Sequence, residues 1–254
     1  MAFEYLGEIT GGQAPKKNLQ IGADVYAGQM AQYSGAAGGR IIPVAAAAAG
    51  PDTTVIAGIV LGPGRFTSPG TNLYDSTYKG DKITYDTTQA TVVVNDPKGA
   101  AIAEVQTLTP NSLIKAPIVK DTIGTAPECK ACTTGSADGL TFVVATIDTT
   151  VDDYSTAYCR TGANQGEYRV VTTGATTTQT FTIPFTNDIA VGDTFCIANV
   201  TEGLAHISWD TQFQAVDSSY DPSTNYFVAI VHEVNLEKAG EEYCTFRLAS
   251  RHLG

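Results

Sequence analysis

The sequence has little charge and few aromatic side chains: of its 254 residues, 16% are charged and one is tryptophan. It has no apolar run near the roughly 20 residues that span a bilayer, and its first residues lack the basic start and hydrophobic run of a signal peptide. Lys and Arg number 15 against 26 Asp and Glu, which gives a net charge of -11. Because affinity for nucleic acid comes mainly from Lys and Arg, we expect neither a nucleic-acid nor a membrane partner.

Recognisable catalytic patterns are also missing. The three histidines have no serine or cysteine nucleophile motif beside them: His206, His232 and His252. A G-x-S-x-G elbow is absent, and the glycine-rich stretch that begins at Gly62 lacks the third glycine of a dinucleotide fingerprint. Two acidic clusters, at residues 148–153 and 217–221, suit either a calcium ion or a solvated loop, and we favour the loop. We therefore predict no enzyme, no catalytic residues, no cofactor and no metal.

The cysteine count is odd, which argues against a simple disulfide framework. The five cysteines are Cys129, Cys132, Cys159, Cys196 and Cys244. Cys129 and Cys132 form a C-x-x-C, but structural zinc normally needs a second close pair. We favour structural or incidental cysteines, with a metal or a loop disulfide at Cys129 and Cys132 as the alternative. Cys196 and Cys244 lie inside apolar strand patterns and are predicted to be core groups.

What the chain does have is alternation of apolar and polar residues with a period of two, together with 25 glycines. Such alternation, with turn-forming residues between the runs, predicts β-strands. The predicted strands are 40–46, 54–61, 82–85, 90–94, 101–105, 141–147, 167–171, 179–183, 193–197, 204–209, 226–234 and 242–248. Their spacing predicts an all-β protein of the β-sandwich or barrel-like class.

The composition changes along the chain at two places. Residues 121–140 are rich in small and turn-forming residues, so we place a domain boundary there. It would separate an N-terminal β-domain, 23–123, from a C-terminal β-domain, 124–254. Residues 1–22 have a loop-like composition. They are predicted to form an extended N-terminal arm that becomes ordered on a neighbouring subunit, and a frayed terminus is the equally weighted alternative.

The stretch from Gly22 to Leu61 has the most distinctive order of residues. It begins Gly22-Ala23-Asp24-Val25-Tyr26, continues through the turn Gly38-Gly39-Arg40 and ends Ala57-Gly58-Ile59-Val60-Leu61. This order resembles the small β-domain of tailed-bacteriophage capsid decoration (cement) proteins, in which Gly-Asp, a short strand, a glycine turn, a strand and Ala-Gly-Val/Ile follow one another. The alanine between Gly22 and Asp24 departs from that order.

The resemblance implies a virion structural protein on the outside of an icosahedral capsid, assembled in the host cytoplasm. Its partner would be the major capsid protein, which it would bridge and stabilise as a homo-oligomer, a dimer or a trimer. The candidate capsid-binding residues are Tyr5, Leu6, Ile9, Lys16 and Lys17. The alternative function is a phage tail or receptor-binding β-protein, and a polysaccharide-degrading enzyme is the least favoured.

Overall fold

The computed structural model describes most of the chain. The described residues are 3–35, 39–44, 55–63, 72–75, 80–83, 102–119, 127–145, 155–207, 209–210, 215–217 and 227–253. Over these residues the chain forms β-strands, no α-helix and one 3₁₀ turn, Ser250–His252. None of the described segments is a helix with the length and apolar character needed to cross a membrane. The predicted all-β class is confirmed.

The strands are spread over the described segments of the chain. In order they are β1 (Glu4–Glu8), β2 (Lys16–Gln20), β3 (Val25–Tyr26), β4 (Met30–Ser34), β5 (Arg40–Pro43), β6 (Ile56–Pro63), β7 (Asn72–Asp75), β8 (Gly80–Ile83), β9 (Ile102–Gln106), β10 (Ser112–Val119), β11 (Glu128–Thr134), β12 (Thr141–Val144), β13 (Thr156–Cys159), β14 (Tyr168–Gly174), β15 (Thr178–Phe181), β16 (Thr194–Ala198), β17 (Gly203–Ile207), β18 (Trp209–Asp210), β19 (Ala215–Asp217), β20 (Phe227–Asn235) and β21 (Tyr243–Leu248).

These strands belong to two compact units, and both units are discontinuous in sequence. Unit 1 comprises Met1–Ala116, Trp209–Ala215 and Arg247–Gly254, and unit 2 comprises Pro117–Ser208 and Val216–Phe246. The domain limits proposed from composition, 1–22, 23–123 and 124–254, stay predictions.

Unit 1 contains a five-stranded antiparallel sheet in the order β2-β9-β6-β4-β5. A parallel bridge between Ile21, just after β2, and Ile41 in β5 joins the two ends of that order. At Gly58 in β6 the backbone has a φ of 146°, and an added Cβ would lie 2.1 Å from the carbonyl oxygen of Gln106. Only glycine allows this close approach of β6 and β9. The core beneath the sheet consists of Ile21, Val25, Ala31, Ile41, Ala57, Val60, Ile83, Ala103 and Val105.

Unit 2 contains a closed barrel in which six strands follow the order β11-β12-β15-β14-β13-β16. Closure leaves the barrel without an open edge, and alternate residues of each strand point inward. Its interior is filled by Cys132, Phe142, Val144, Ala157, Cys159, Val171, Phe181, Phe185, Ile189, Phe195 and Ile197. The rings of Phe142 and Phe195 stack with their centroids 4.1 Å apart. Outside the barrel, β17 and β20 of this unit pair as antiparallel strands, from Gly203 opposite Val231 to Ile207 opposite Phe227.

Most of the predicted strands that fall on described residues are present, with ends shifted by a few residues. The strands predicted at 54–61, 101–105, 167–171, 193–197 and 242–248 correspond to β6, β9, β14, β16 and β21. The strand predicted at 82–85 is β8, which begins at Gly80 and pairs with β3 and β7. Its predicted hairpin partner, 90–94, lies outside the described residues.

Two segments whose composition is loop-like or turn-forming contain strands. Residues 3–22 contain β1, which pairs with β10, and β2, which pairs with β9 along its whole length. Residues 128–134, inside the stretch chosen for its turn-forming composition, form the barrel strand β11. The partners of β1 and β2 lie far away in sequence, and β11 pairs with the distant β16 as well as with the adjacent β12. In these strands, pairing overrides the local preference for turns.

Candidate functional site

The predicted capsid-binding segment borders a groove in unit 1 with a volume of about 350 Å³. Tyr5 from β1 and Lys16 from β2 line it, together with Leu61 of β6, whose side chain is exposed. Leu6, Ile9 and Lys17 do not line the groove. The structure therefore brings two of the five sequence-predicted residues to one concave surface and places the other three beside it along the chain.

Leu6 and Ile9 are exposed apolar side chains, 45% and 51% accessible. Leu6 sits at an irregularity in β1: Tyr5 pairs with Ile114, but Gly7 pairs with Leu113, so Leu6 has no opposite residue. The alternation of β1 is kept up to this point: Phe3 is buried, Glu4 is exposed, Tyr5 is half-buried and Leu6 is exposed again. The exposure of Leu6 thus follows from the backbone.

The chain between β1 and β2 is held to its own unit by hydrogen bonds to residues about ninety positions away. The buried Gln106 side-chain amide donates to the carbonyl oxygen of Ala14 over 2.8 Å. Thr107 donates to the carbonyl oxygen of Pro15, from its backbone N–H over 3.1 Å and from its hydroxyl over 2.5 Å. These hydrogen bonds hold Ala14 and Pro15 against the end of β9.

Glu8 is the polar centre of this segment, although no sequence pattern pointed to it. Its carboxylate accepts hydrogen bonds from the Tyr5 hydroxyl over 2.9 Å, from the Ser112 hydroxyl over 2.5 Å and from the Thr109 hydroxyl. The Tyr5 hydroxyl in turn accepts from the backbone N–H of Ala14 over 2.8 Å. Burial opposes ionisation of Glu8, but the hydrogen bonds from Ser112, Thr109 and Tyr5 outweigh it and lower the pKa.

We expect Glu8→Gln to lower the free energy of unfolding at neutral pH by about 1 to 2 kcal/mol, because an amide cannot accept all three hydrogen bonds. Folding lowers the pKa of Glu8, so its contribution is present above the ordinary glutamate pKa of 4.5 and is lost as the pH falls through the folded-state value. The difference between the variant and the unmodified protein should therefore shrink on acidification. Urea unfolding at about pH 7 and about pH 3 measures this.

Glu4→Gln is the matched control for Glu8, since Glu4 is an exposed glutamate of the same strand. We expect it to change the unfolding free energy by less than about 0.5 kcal/mol. A Glu8→Gln effect that stayed constant across this pH range would contradict the role of its carboxylate.

A second concave surface lies in unit 2 and has a volume of about 360 Å³. Tyr168, Arg169, Glu202 and Glu233 are among its lining residues. Glu233 accepts a hydrogen bond from the Tyr243 hydroxyl over 2.9 Å. This surface is polar, and Arg169 within it already donates hydrogen bonds to the carbonyl oxygens of Pro184 and Tyr168 and to Glu167.

The C-x-x-C does not form a shared site. Cys129 and Cys132 are three residues apart in β11, so they point to opposite faces of the strand. Cys132 lies in the barrel interior, whereas Cys129 faces Cys196 on the neighbouring strand β16. The alternative of a metal or a loop disulfide held by Cys129 and Cys132 is therefore wrong. Cys196 and Cys244 are fully buried, as predicted for core groups.

The remaining sequence candidates are not brought together among the residues that the structure describes. His232 is exposed and His252 is buried, while nothing is described of the His206 side chain. The acidic cluster at 148–153 lies outside the described residues, and of the cluster at 217–221 only the backbone of Asp217 is described. No protein-family model, no curated protein and no solved structure matches the chain. The function is therefore inferred from the fold and from these surfaces.

Proposed function

We propose that the chain is a virion structural protein that binds the outside of an icosahedral phage capsid and stabilises the shell by bridging major capsid proteins. It acts as a homo-oligomer, a dimer or a trimer, and performs no catalysis. The proposal combines the sequence resemblance over residues 22–61 with one structural observation, which carries it: the exposed apolar side chains of Leu6 and Ile9 on an ordered N-terminal segment.

The surface of this segment combines two properties that suit a binding surface. Leu6 and Ile9 are large, apolar and about half exposed, and exposed apolar groups that lie close together mark interaction surfaces. Lys16 and Lys17, a few residues further on, are exposed cations in a chain of net charge -11. Apolar anchors next to positive charge suit an acidic, partly apolar protein partner.

The hydrogen bonds from Gln106 and Thr107 modify the mechanism that the resemblance implies. An unfolded arm would lose conformational entropy on binding, whereas this segment is already ordered by its own unit. The surface is preorganised, so more of the contact free energy appears as affinity.

Stabilisation of the shell follows from mass action. A protein that binds across the joints between capsid subunits adds free energy that exists only in the assembled shell, and this shifts the equilibrium away from disassembly. Many symmetric copies multiply a modest contact through avidity. The excess of acidic groups, 26 against 15 basic, would keep decorated particles apart in solution.

We expect the double substitution Leu6→Asp and Ile9→Asp to weaken shell binding by about tenfold or more, because the two substitutions remove the apolar anchors. The probe is an icosahedral shell assembled from a phage major capsid protein; where such a protein is encoded beside this chain's gene, that one is used. Co-sedimentation of the shell with increasing amounts of the protein measures the binding. Point variants are preferable to truncation, since deleting residues 1–20 would remove β1 and β2 from their sheets.

The matched control is the double substitution Ile183→Asp and Val191→Asp in unit 2, where both side chains are more exposed than Leu6 and Ile9, at 69% and 72%. It should leave shell binding unchanged. Equal binding by the two double variants would remove the N-terminal segment from the mechanism. A gene neighbourhood without a major capsid gene would count against the capsid proposal itself.

The second candidate function is a phage tail or receptor-binding protein, and the cavity beside Tyr168 and Glu233 favours it. A purified protein that bound host cells but not shells would support this candidate instead.

A further inference from the structure

Two of the five cysteines face each other across neighbouring strands of the barrel. Strands β11 and β16 are antiparallel, and Cys129 is directly opposite Cys196 in their register. Side chains of directly opposed residues lie on the same face of a sheet, with Cβ atoms about 4.5 to 5.5 Å apart. The two sulfur atoms lie within 4.8 Å of each other, and both are free thiols.

The two thiols also point to the same place. The sulfur of Cys129 is 3.6 Å and that of Cys196 is 3.9 Å from the carbonyl oxygen of Pro127. The neighbours of Cys196 in β16, Phe195 and Ile197, fill the barrel interior, so Cys196 lies on the outer face of the strand. No local pattern in the sequence points to this pair, because Cys129 lies in the first barrel strand along the chain and Cys196 in the last.

A buried ion pair lies beside the thiols. The Arg160 guanidinium is 2.6 Å from a Glu242 carboxylate oxygen, and that carboxylate lies within 4.8 Å of both sulfurs. The hydrogen bond with the Cys196 thiol lowers the pKa of Cys129, burial raises it, and the positive charge of Arg160 lowers it further, with a net decrease. The same hydrogen bond and burial raise the pKa of Cys196. Cys129 is therefore the better nucleophile, and Cys196 holds its proton.

A metal ion fits this cluster poorly. One Glu242 oxygen is paired with Arg160, and the other accepts a hydrogen bond from the backbone N–H of Gly240 over 2.8 Å. A cation bound by the sulfurs would also lie close to the Arg160 charge. Cys132, the only other cysteine of β11, faces the opposite side of the strand. Two thiols with a neighbouring positive charge suit oxidation better than coordination.

We propose that Cys129 and Cys196 are a redox-responsive pair that hydrogen peroxide converts to a cross-strand disulfide between β11 and β16. The Cys129 thiolate attacks one peroxide oxygen, the O–O bond breaks, and the departing hydroxide takes up a proton to give water and a sulfenic acid on Cys129. The Cys196 sulfur then attacks the Cys129 sulfur, the S–O bond breaks, and the oxygen leaves as water with the Cys196 proton. Two thiols are oxidised and one peroxide is reduced to two waters.

Only one cysteine of the pair, Cys129, is accessible to solvent. Cys129 is half-buried, so a molecule as small as peroxide reaches it, while Cys196 is fully buried and reacts only through Cys129. The resulting disulfide would close the chain from Cys129 to Cys196 into a loop. Because this loop lowers the conformational entropy of the unfolded state, the disulfide would stabilise the barrel. This property is independent of the proposed capsid function.

The test uses the full chain treated with hydrogen peroxide, blocked with an alkylating reagent and mapped by mass spectrometry without reduction. We expect one linked peptide pair containing Cys129 and Cys196, a mass loss of about 2 Da and full reversal by dithiothreitol. Before oxidation, Cys129 should be alkylated on the order of tenfold faster than any of the other four cysteines.

Cys129→Ser should abolish the link, and Cys132→Ser, a change in the same strand but on the opposite face, should leave it intact. Because Cys129 is only half-buried, its replacement does not depend on repacking a filled core. A link between Cys129 and Cys132, the absence of any link, or one zinc ion retained by the unmodified protein and lost in Cys129→Ser would overturn the proposal.

Discussion

Replacing Phe142 with alanine should lower the free energy of unfolding of the barrel by about 3 to 5 kcal/mol. The side chain is fully buried in unit 2, stacks on Phe195 at 4.1 Å and contacts Phe181 with ring centroids 5.5 Å apart. Alanine leaves a cavity that the closed barrel cannot fill by moving an edge strand, so both the apolar transfer energy and the ring contacts are lost.

The change in unfolding free energy caused by Phe142→Ala is measured by urea unfolding with hydrogen-exchange mass spectrometry as the readout. Peptides from β12 and β15 report on the barrel separately from unit 1. Ile183→Ala is the control: this side chain is 69% exposed in the same unit, and its loss should change the free energy by less than about 0.5 kcal/mol. Equal effects of the two substitutions would show that Phe142 is not in the core.

Glu242→Gln should lower the free energy of unfolding by about 3 kcal/mol, because it leaves the Arg160 charge largely buried without a counterion. The side chains of Arg160 and Glu242 are 13% and 1% exposed. Arg160 keeps two hydrogen bonds to the carbonyl oxygen of Leu236, of 2.9 and 2.7 Å, but a carbonyl does not neutralise its charge.

Glu241, the residue before Glu242, provides a matched control for this buried ion pair. Lys238 and Glu241 form an ion pair whose side chains are 70% and 63% exposed. Glu241→Gln should change the free energy by less than about 0.5 kcal/mol, since water screens this pair. The double variant Arg160→Met, Glu242→Leu should recover part of the loss, because no charge is then left buried. A single-variant loss no larger than that of Glu241→Gln would contradict a buried pair.

Strands with regular alternation could be predicted from the sequence. Residues 179–183 and 193–197 alternate between apolar and polar side chains, and they form β15 and β16 with the inner residues Phe181, Phe195 and Ile197 in the barrel core. In such strands the local pattern and the tertiary environment agree, because one face is buried against the core.

Strands with turn-like composition could not be predicted. β2 consists of Lys-Lys-Asn-Leu-Gln, and only Leu19 of this run packs against the core of unit 1. It forms a strand because β9 supplies a complete antiparallel partner, from Lys16 opposite Gln106 to Gln20 opposite Ile102. The partner lies more than eighty residues away, so no local window of sequence contains the reason.

In the candidate site, too, some residues could be predicted from the sequence and others could not. Leu6 and Ile9 were selected as apolar residues in a polar segment, and the structure finds them exposed. Glu8, between them, was not selected, because its partners Thr109 and Ser112 come from the turn before β10 and the start of β10.

By itself the sequence determined the fold class: alternating apolar residues, glycine-rich turns and little charge commit the chain to β-structure, since these are properties of neighbouring residues. Only the tertiary structure decided which strands pair, which segment is ordered and which side chains meet. It set Cys129 opposite Cys196 rather than beside Cys132, and it tied Ala14 to Gln106. The physical reason is that register and closure depend on hydrogen bonds between residues far apart in the chain, and local propensity does not encode those partners.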